Sequence, residues 1–198
     1  MYGAGLSGKT LFIALQYFLL VSLFAQTGSA NHDHDHKTPE PPQLSFLYTL
    51  YAECKPDLMR PDTGPRGIRA AIPIVGGNFT GPHLSGKVLN VGADWGLTDP
   101  RTKIFSADTR YNLRTHDGAD IFVQTSGPQV PDGHLHLRMV FETASPKYYW
   151  LNNIVAIGVL TTGIPTTGDF NLLRIDGWHL AGDWNSTHFV DGSAGMQY

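Results

Sequence analysis

Two stretches of this chain carry more ionisable side chains than the strand of a buried core tolerates, and they carry them at a spacing of two. In Asp108-Thr-Arg110-Tyr-Asn112-Leu-Arg114 the two-residue strand period puts Asp108, Arg110, Asn112 and Arg114 on one face. Thr109, Tyr111, Leu113 and Thr115 take the other. In the second stretch His134, His136, Arg138, Val140 and Glu142 share a face opposite Leu135, Leu137, Met139 and Phe141. Turned outward, these faces hold ordinary cross-strand ion pairs that contribute little each. Turned inward, Arg110, Arg138 and Glu142 make a desolvated polar site. There an arginine stabilises a developing oxyanion while Glu142 or Asp94 moves a proton. Such a site suits isomerisation, dehydration or cyclisation of a small organic ligand.

His134-Leu-His136 also has the spacing to chelate one metal ion from a strand face, as in cupins. The next acid, Glu142, lies six residues on, about 20 Å along an extended strand, and no second histidine motif follows. No metal and no cofactor is therefore assigned. The histidines at 32, 34 and 36 sit in a polar tract with nothing to orient them. Nucleophile elbow, phosphate loop and dinucleotide fingerprint are all missing. The single cysteine, Cys54, excludes an intrachain disulfide, and no motif places a base beside it.

The elements that must position these residues read as strands. Leu44 to Tyr51 is aromatic and apolar, Ile68 to Ile74 opens a second strand, and Gly76-Gly77 stops it. Leu84 to Leu89, Lys103 to Arg114, Ala119 to Thr125 and His134 to Thr143 follow. Asp117-Gly118 and Pro131-Asp132-Gly133 supply turns between them. Asn152 to Val159 and Leu172 to Leu180 complete the set, and no helical stripe competes. Short strands joined by glycine-rich turns predict an all-β barrel or sandwich, and closure hides the edges of so many apolar strands.

Composition bounds the compartment. Lys9, the apolar run from Leu11 to Ala25 and the small residues Gly28-Ser29-Ala30 predict a signal peptide over 1–30. That run is shorter than the roughly 20 residues that span a bilayer, so no membrane association is expected after its removal. Residues 31–43 form a disordered His/Pro-rich lead-in, 44–182 the barrel domain and 183–198 a polar tail. The formal charge is −3, and losing Lys9 makes the remainder slightly more acidic. With lysines and arginines scattered, nucleic acid is excluded as a partner. Asn78-Phe-Thr and Asn185-Ser-Thr are glycosylation acceptors. Asn185 is the better one, because a glycan on Asn78 would sit close to the barrel mouth.

The densest motif block runs from Arg66 to Gly127. It contains Gly67-Ile-Arg69, Gly76-Gly-Asn-Phe-Thr-Gly81-Pro82, Gly92-Ala-Asp94-Trp95, Asp108-Thr-Arg110-Tyr111 and Thr115-His-Asp117-Gly118. In combination it resembles the domain of unknown function 3237 family, also called uncharacterised protein family 0311. The resemblance spans roughly Leu44 to Leu180. It implies a single small antiparallel β-barrel, calycin- or lipocalin-like in appearance, and no settled catalytic residue. Arg69, Asp94, Trp95, Arg110, Asp117, Arg138, Glu142, Trp150 and Asn152 fall on its pattern positions. The expectation is a secreted barrel that holds a hydrophobic organic ligand between aromatic walls. Arg110, Glu142 and Asp94 are the candidate catalytic residues. Arg69, Trp95, Tyr111, Arg138, Trp150 and Asn152 are the candidate binding residues. Two rival readings keep the same fold: a non-catalytic carrier, and a surface-interaction protein with a filled barrel.

Overall fold

Eight antiparallel strands close on themselves in the computed structural model, which describes residues 38–59 and 63–182. The predicted signal peptide, most of the lead-in, Asn185 and the tail from 183 lie outside the described residues. In chain order the strands are β1 (Leu44–Cys54), β2 (Thr63–Gly64), β3 (Gly67–Arg69), β4 (Ile72–Thr80), β5 (Ser85–Asp94) and β6 (Leu97–Thr98). Then come β7 (Phe105–Thr115), β8 (Asp120–Pro128), β9 (Leu135–Glu142), a 3-10 helix (Pro146–Asn153), β10 (Ala156–Ile164) and β11 (Asn171–Leu180). The barrel order is β7-β5-β4-β1-β11-β10-β9-β8, and β8 returns to pair with β7. The three short strands β2, β3 and β6 form an annex stitched to the start of β7.

Alternation decides what fills the barrel. On β9 the burial runs buried–exposed without a break, so Leu135, Leu137, Met139 and Phe141 point in. On β7 the inward set is Ala107, Thr109, Tyr111, Leu113 and Thr115. These meet Tyr48, Leu50 and Ala52 of β1, Phe79 of β4, Ile121 and Val123 of β8 and Ile175 of β11 in one cluster. Eight strands enclose a space that side chains just fill. Each fully buried Leu, Ile or Phe contributes roughly 1.5–3 kcal/mol relative to exposure, which lets the fold stand without a disulfide.

The barrel has unlike ends. At one end the 3-10 helix lies across the opening, with Pro146 starting it and Tyr148 and Leu151 buried. Its aromatic run is not the strand start expected at Asn152; β10 begins at Ala156 and runs on to Ile164. Asp117 locks this plug, accepting from Lys147 Nζ at 2.6 Å, Thr115 Oγ1 at 2.5 Å and the Tyr148 hydroxyl at 3.0 Å. These donors hold its carboxyl well below the usual range, Lys147 contributing most.

Gly76 and Gly77 do not stop β4, contrary to expectation. The strand continues through them to Thr80 with a shifted register. Gly77 has φ +130°, and a β-carbon there would overlap the Tyr51 carbonyl oxygen of β1. The glycines thus let two strands approach closely, where a side chain would force them apart.

Candidate active site at the open barrel mouth

Binary patterning orients the charged faces outward. Arg138 and Glu142 are exposed on the outer wall of β9, opposite Ser126 and Phe122 of β8. Arg110 also faces out and pairs with its strand neighbour Asp108, Nη1 to Oδ1, at 2.9 Å. The inward placement of Arg110, Arg138 and Glu142 is therefore corrected, because the opposite faces of β7 and β9 are the apolar ones and burial selects them. His134 and His136 share that outer wall; His134 pairs with Asp132 at 3.2 Å. Among the described residues no three metal-type ligands converge.

Asp94, in contrast, turns inward. Between Val88 and Gly92 the register of β5 against β7 shifts, and Val91 is pushed out to 63 % exposure. This bulge re-aims the end of the strand, so that Gly92 lies opposite Tyr111 and Asp94 opposite Thr109. The Asp94 side chain enters a cavity of about 40 Å³ lined by Cys54, Ile72, Ile74, Thr109, Tyr111 and Thr125, with Leu160, Leu173 and Ile175 across the barrel. The space holds about one water, far below the several hundred Å³ of a pocket that encloses a drug-sized molecule. The roomy aromatic-walled interior expected from sequence is replaced by a filled barrel with a small apolar pocket at its mouth.

Electrostatics single out the same carboxyl. Burial raises the Asp94 pKa above its ordinary value. The Asp108 amide, donating to Oδ1 at 2.9 Å, and the Thr109 hydroxyl pull against that rise. The nearby Asp108 charge adds to it. Cys54 is pushed up to about 12, first by burial and then by the Asp94 charge, so it is an inert thiol rather than a nucleophile. A carboxyl whose pKa is raised, beside hydroxyls in a largely apolar pocket, is suited to donate or accept a proton.

The predicted binding residues Arg69 and Trp95 do not line the cavity but lie next to Asp94 along the chain and across the annex. Arg69 Nη1 donates to the Trp95 carbonyl at 2.5 Å, and the Trp95 amide donates to the Asp108 carbonyl at 3.0 Å. The Trp95 side chain is 41 % exposed. The structure thus brings Asp94, Tyr111, Arg69 and Trp95 to one end and places Trp150 and Asn152 at the other. Trp150 packs on His179, ring centroids 5.9 Å apart, and Asn152 ties the chain after β9, bonding Thr143 and Tyr149. Asn78 is exposed on the outer face of β4, paired with Tyr51 and Lys87 and away from the mouth. Cys54, Thr109 and Thr125 were not foreseen at the site. The two-residue step from Tyr111 back to Thr109 was the signal that could have found the second of them.

Relatives share this architecture. Residues 42–135 match the family described as "Protein of unknown function (DUF3237)". The hydroalkoxylation enzyme phnH of Penicillium herquei is 31% identical over 158 residues, covering 80% of this chain and 94% of that protein. A UPF0311 protein of Rhodopseudomonas palustris (strain TIE-1) is 32% identical over 133 residues, covering 59% of this chain and 86% of its own. Among solved structures, a β-barrel-like protein from Acinetobacter baumannii AYE superposes with a TM-score of 0.60 at 34% identity, covering 73% of this chain and 99% of that one. An enzyme from Penicillium herquei gives a TM-score of 0.57 at 29% identity, covering 72% and 97%.

Proposed function

The chain belongs to the DUF3237 family of proteins of unknown function, and from that premise we propose that it is a secreted enzyme of acid–base chemistry on a small, largely apolar organic substrate. The observation that carries the reading is the Asp94 carboxyl, set in a largely apolar pocket at the barrel end away from the 3-10 helix. The relative named as a hydroalkoxylation enzyme supplies the reaction type, addition of an O–H group across a carbon–carbon double bond. In that step protonated Asp94 gives its proton to one alkene carbon. The substrate hydroxyl oxygen bonds to the other carbon, and the hydroxyl proton returns to the Asp94 carboxylate. One C–H and one C–O bond replace the π bond and the O–H bond, and no redox partner is needed. Arg69 and Trp95 shape the entrance and cover the part of the substrate left outside.

Incubating the protein with ortho-methallylphenol in deuterium oxide tests this. The cyclic ether should form with one deuterium on carbon, and Asp94→Asn should slow it by about 10²- to 10⁴-fold. Formation at equal rates with both proteins refutes the assignment.

A second reading, a surface-interaction protein, draws on the outer wall. Arg138, Ile157, Trp178 and Phe46 stand in register across β9, β10, β11 and β1, and Val140, Val155 and Leu44 lie beside them. Val155 is 62 % exposed and Ile157 43 %. An apolar patch of this kind marks contact surfaces. Loss of self-association in Ile157→Lys, with no turnover by the wild type, would favour it over the enzyme.

A further inference from the structure

Two phenols sit in the middle of the barrel with only each other in reach. Tyr48 on β1 is 0% exposed and Tyr111 on β7 is 1% exposed, the two largest of the fully buried side chains. Neither hydroxyl has a hydrogen-bond partner among the described residues. The two hydroxyls face one another, Tyr48 as donor and Tyr111 as acceptor, at a geometry short of a full hydrogen bond. Buried polar atoms are paired in the great majority of folded proteins, and an unpaired one is destabilising. Phenylalanine would fill the same space at both positions without that cost.

Neighbouring groups hem in both rings. Tyr48 is wedged between Phe79 and Phe141, ring centroids 5.8 and 6.2 Å away. Tyr111 lies opposite Gly92, where a β-carbon would stand 3.0 Å from the Tyr111 Cβ. The packing therefore restrains both rings before any guest arrives and leaves only the hydroxyl protons to reorient, as a preorganised donor site requires. Tyr111 lines the same small cavity as Asp94, with the Thr109 and Thr125 side chains around it. Burial keeps both phenols protonated across the ordinary pH range, so they act as neutral donors.

We propose that the Tyr111 hydroxyl, with Tyr48 behind it, is a preformed hydrogen-bond donor for a carbonyl or phenolic oxygen, and that the substrate is an aryl ketone or hydroxyarene entering oxygen first. Tyr48 donates to the Tyr111 oxygen and Tyr111 donates to the guest, which satisfies both buried groups in one chain of bonds. A carbonyl held this way withdraws electrons from a conjugated double bond, while Asp94 moves the proton nearer the mouth. This assignment rests on the reading of the cavity as a substrate site.

The test uses indanone and indane, which differ by one carbonyl oxygen, against wild type, Tyr111→Phe and Tyr48→Phe. Wild type should bind indanone at least about tenfold more tightly than indane, the ratio expected when a buried donor is left unpaired by the analogue. The carbonyl stretch of bound indanone should move to lower frequency. Tyr111→Phe should bind both compounds alike, return the stretch to higher frequency and unfold at the same or a higher urea concentration. Tyr48→Phe should lose part of the preference. Failure of wild type to prefer indanone, or a preference that survives in Tyr111→Phe, overturns the proposal. So does marked destabilisation of Tyr111→Phe, since the hydroxyl would then have a partner within the protein. The catalytic reading fails separately. If the ketone preference holds while wild type and Asp94→Asn are equally inert toward ortho-methallylphenol, the donor pair stands and the enzyme does not.

Discussion

Asp94→Asn separates proton transfer from packing, because the two side chains have nearly the same volume and both present Oδ1. The Asp108 amide, 2.9 Å from that oxygen in the wild type, keeps its acceptor in the variant. The β5–β7 ladder at this point, Asp94 opposite Thr109, is left intact. What disappears is the titratable proton. General acid–base catalysis supplies about 10²- to 10⁴-fold in rate, or roughly 2.7–5.5 kcal/mol of barrier, so turnover should fall by that much with little change in KM. Stability should move the other way. The folded-state pKa of Asp94 is raised above its unfolded value, so the folded protein binds the proton more readily. Below about pH 4 both states are protonated and the variant and wild type should unfold alike. As pH rises from there through the raised folded value, the wild type loses stability that Asn never had to lose. Above that window the gap is constant, with Asn the more stable. Urea unfolding at intervals from pH 3 to 8, with initial rates on the same samples, measures both effects. A variant within threefold of wild-type turnover, or one less stable than wild type at neutral pH, would refute the reasoning.

Four further outcomes follow from other features of the barrel. The lowered pKa of Asp117 means that its stabilising contribution is present above the unfolded value and is lost as pH falls below about 4. Asp117→Asn should flatten that acid loss and speed amide exchange around Tyr148, and unchanged exchange would show that the plug is held without it. Gly127→Ala puts a β-carbon onto the His136 carbonyl oxygen of β9, so it should cost about 1–3 kcal/mol in a urea melt. Gly118→Ala, with φ +90° but open space, should cost only about 1–2 kcal/mol, the backbone term alone. Cys54, pushed up to about 12, should resist alkylation at pH 8 until the protein unfolds, and rapid native labelling would contradict its burial.

The strands were legible because the two-residue alternation and the Asp-Gly turns are local signals. β7 and β9 fall within two residues of their predicted bounds. The facing of those strands was also written in the sequence. Leu135, Leu137, Met139 and Phe141 are apolar without exception, and binary pattern alone assigns that face to the core. Reading Arg138 and Glu142 as a site set functional expectation above that pattern. The annex strands β2 and β6 were not legible, since two residues carry no periodicity, and β3 was merged with β4 in the predicted strand Ile68 to Ile74. Nor was the 3-10 helix, whose Tyr-Tyr-Trp-Leu run has strand composition but begins after a proline and ends at Asn153. The unpaired phenols belong to the same class. Their isolation depends on distances across the barrel that no spacing along the chain encodes.

The double duty of β7 has a kinetic consequence. Its first residues pair with the annex, Leu97 with Ser106 and Thr98 with Phe105, while its next ones wall the cavity. The segment after Asp94 is therefore pinned on both sides, by the Trp95 amide to Asp108 and by the Ala70 amide to the Gly96 carbonyl at 2.9 Å. A guest larger than one water requires the roughly 40 Å³ space to widen, and we expect that widening to release these bonds together. Such collective opening occurs over microseconds to milliseconds. The observed association rate should accordingly level off with rising ligand concentration, at a ceiling set by the protein. The Ala70 and Trp95 amide hydrogens report that opening directly, and a bound guest would slow their exchange by holding the mouth shut.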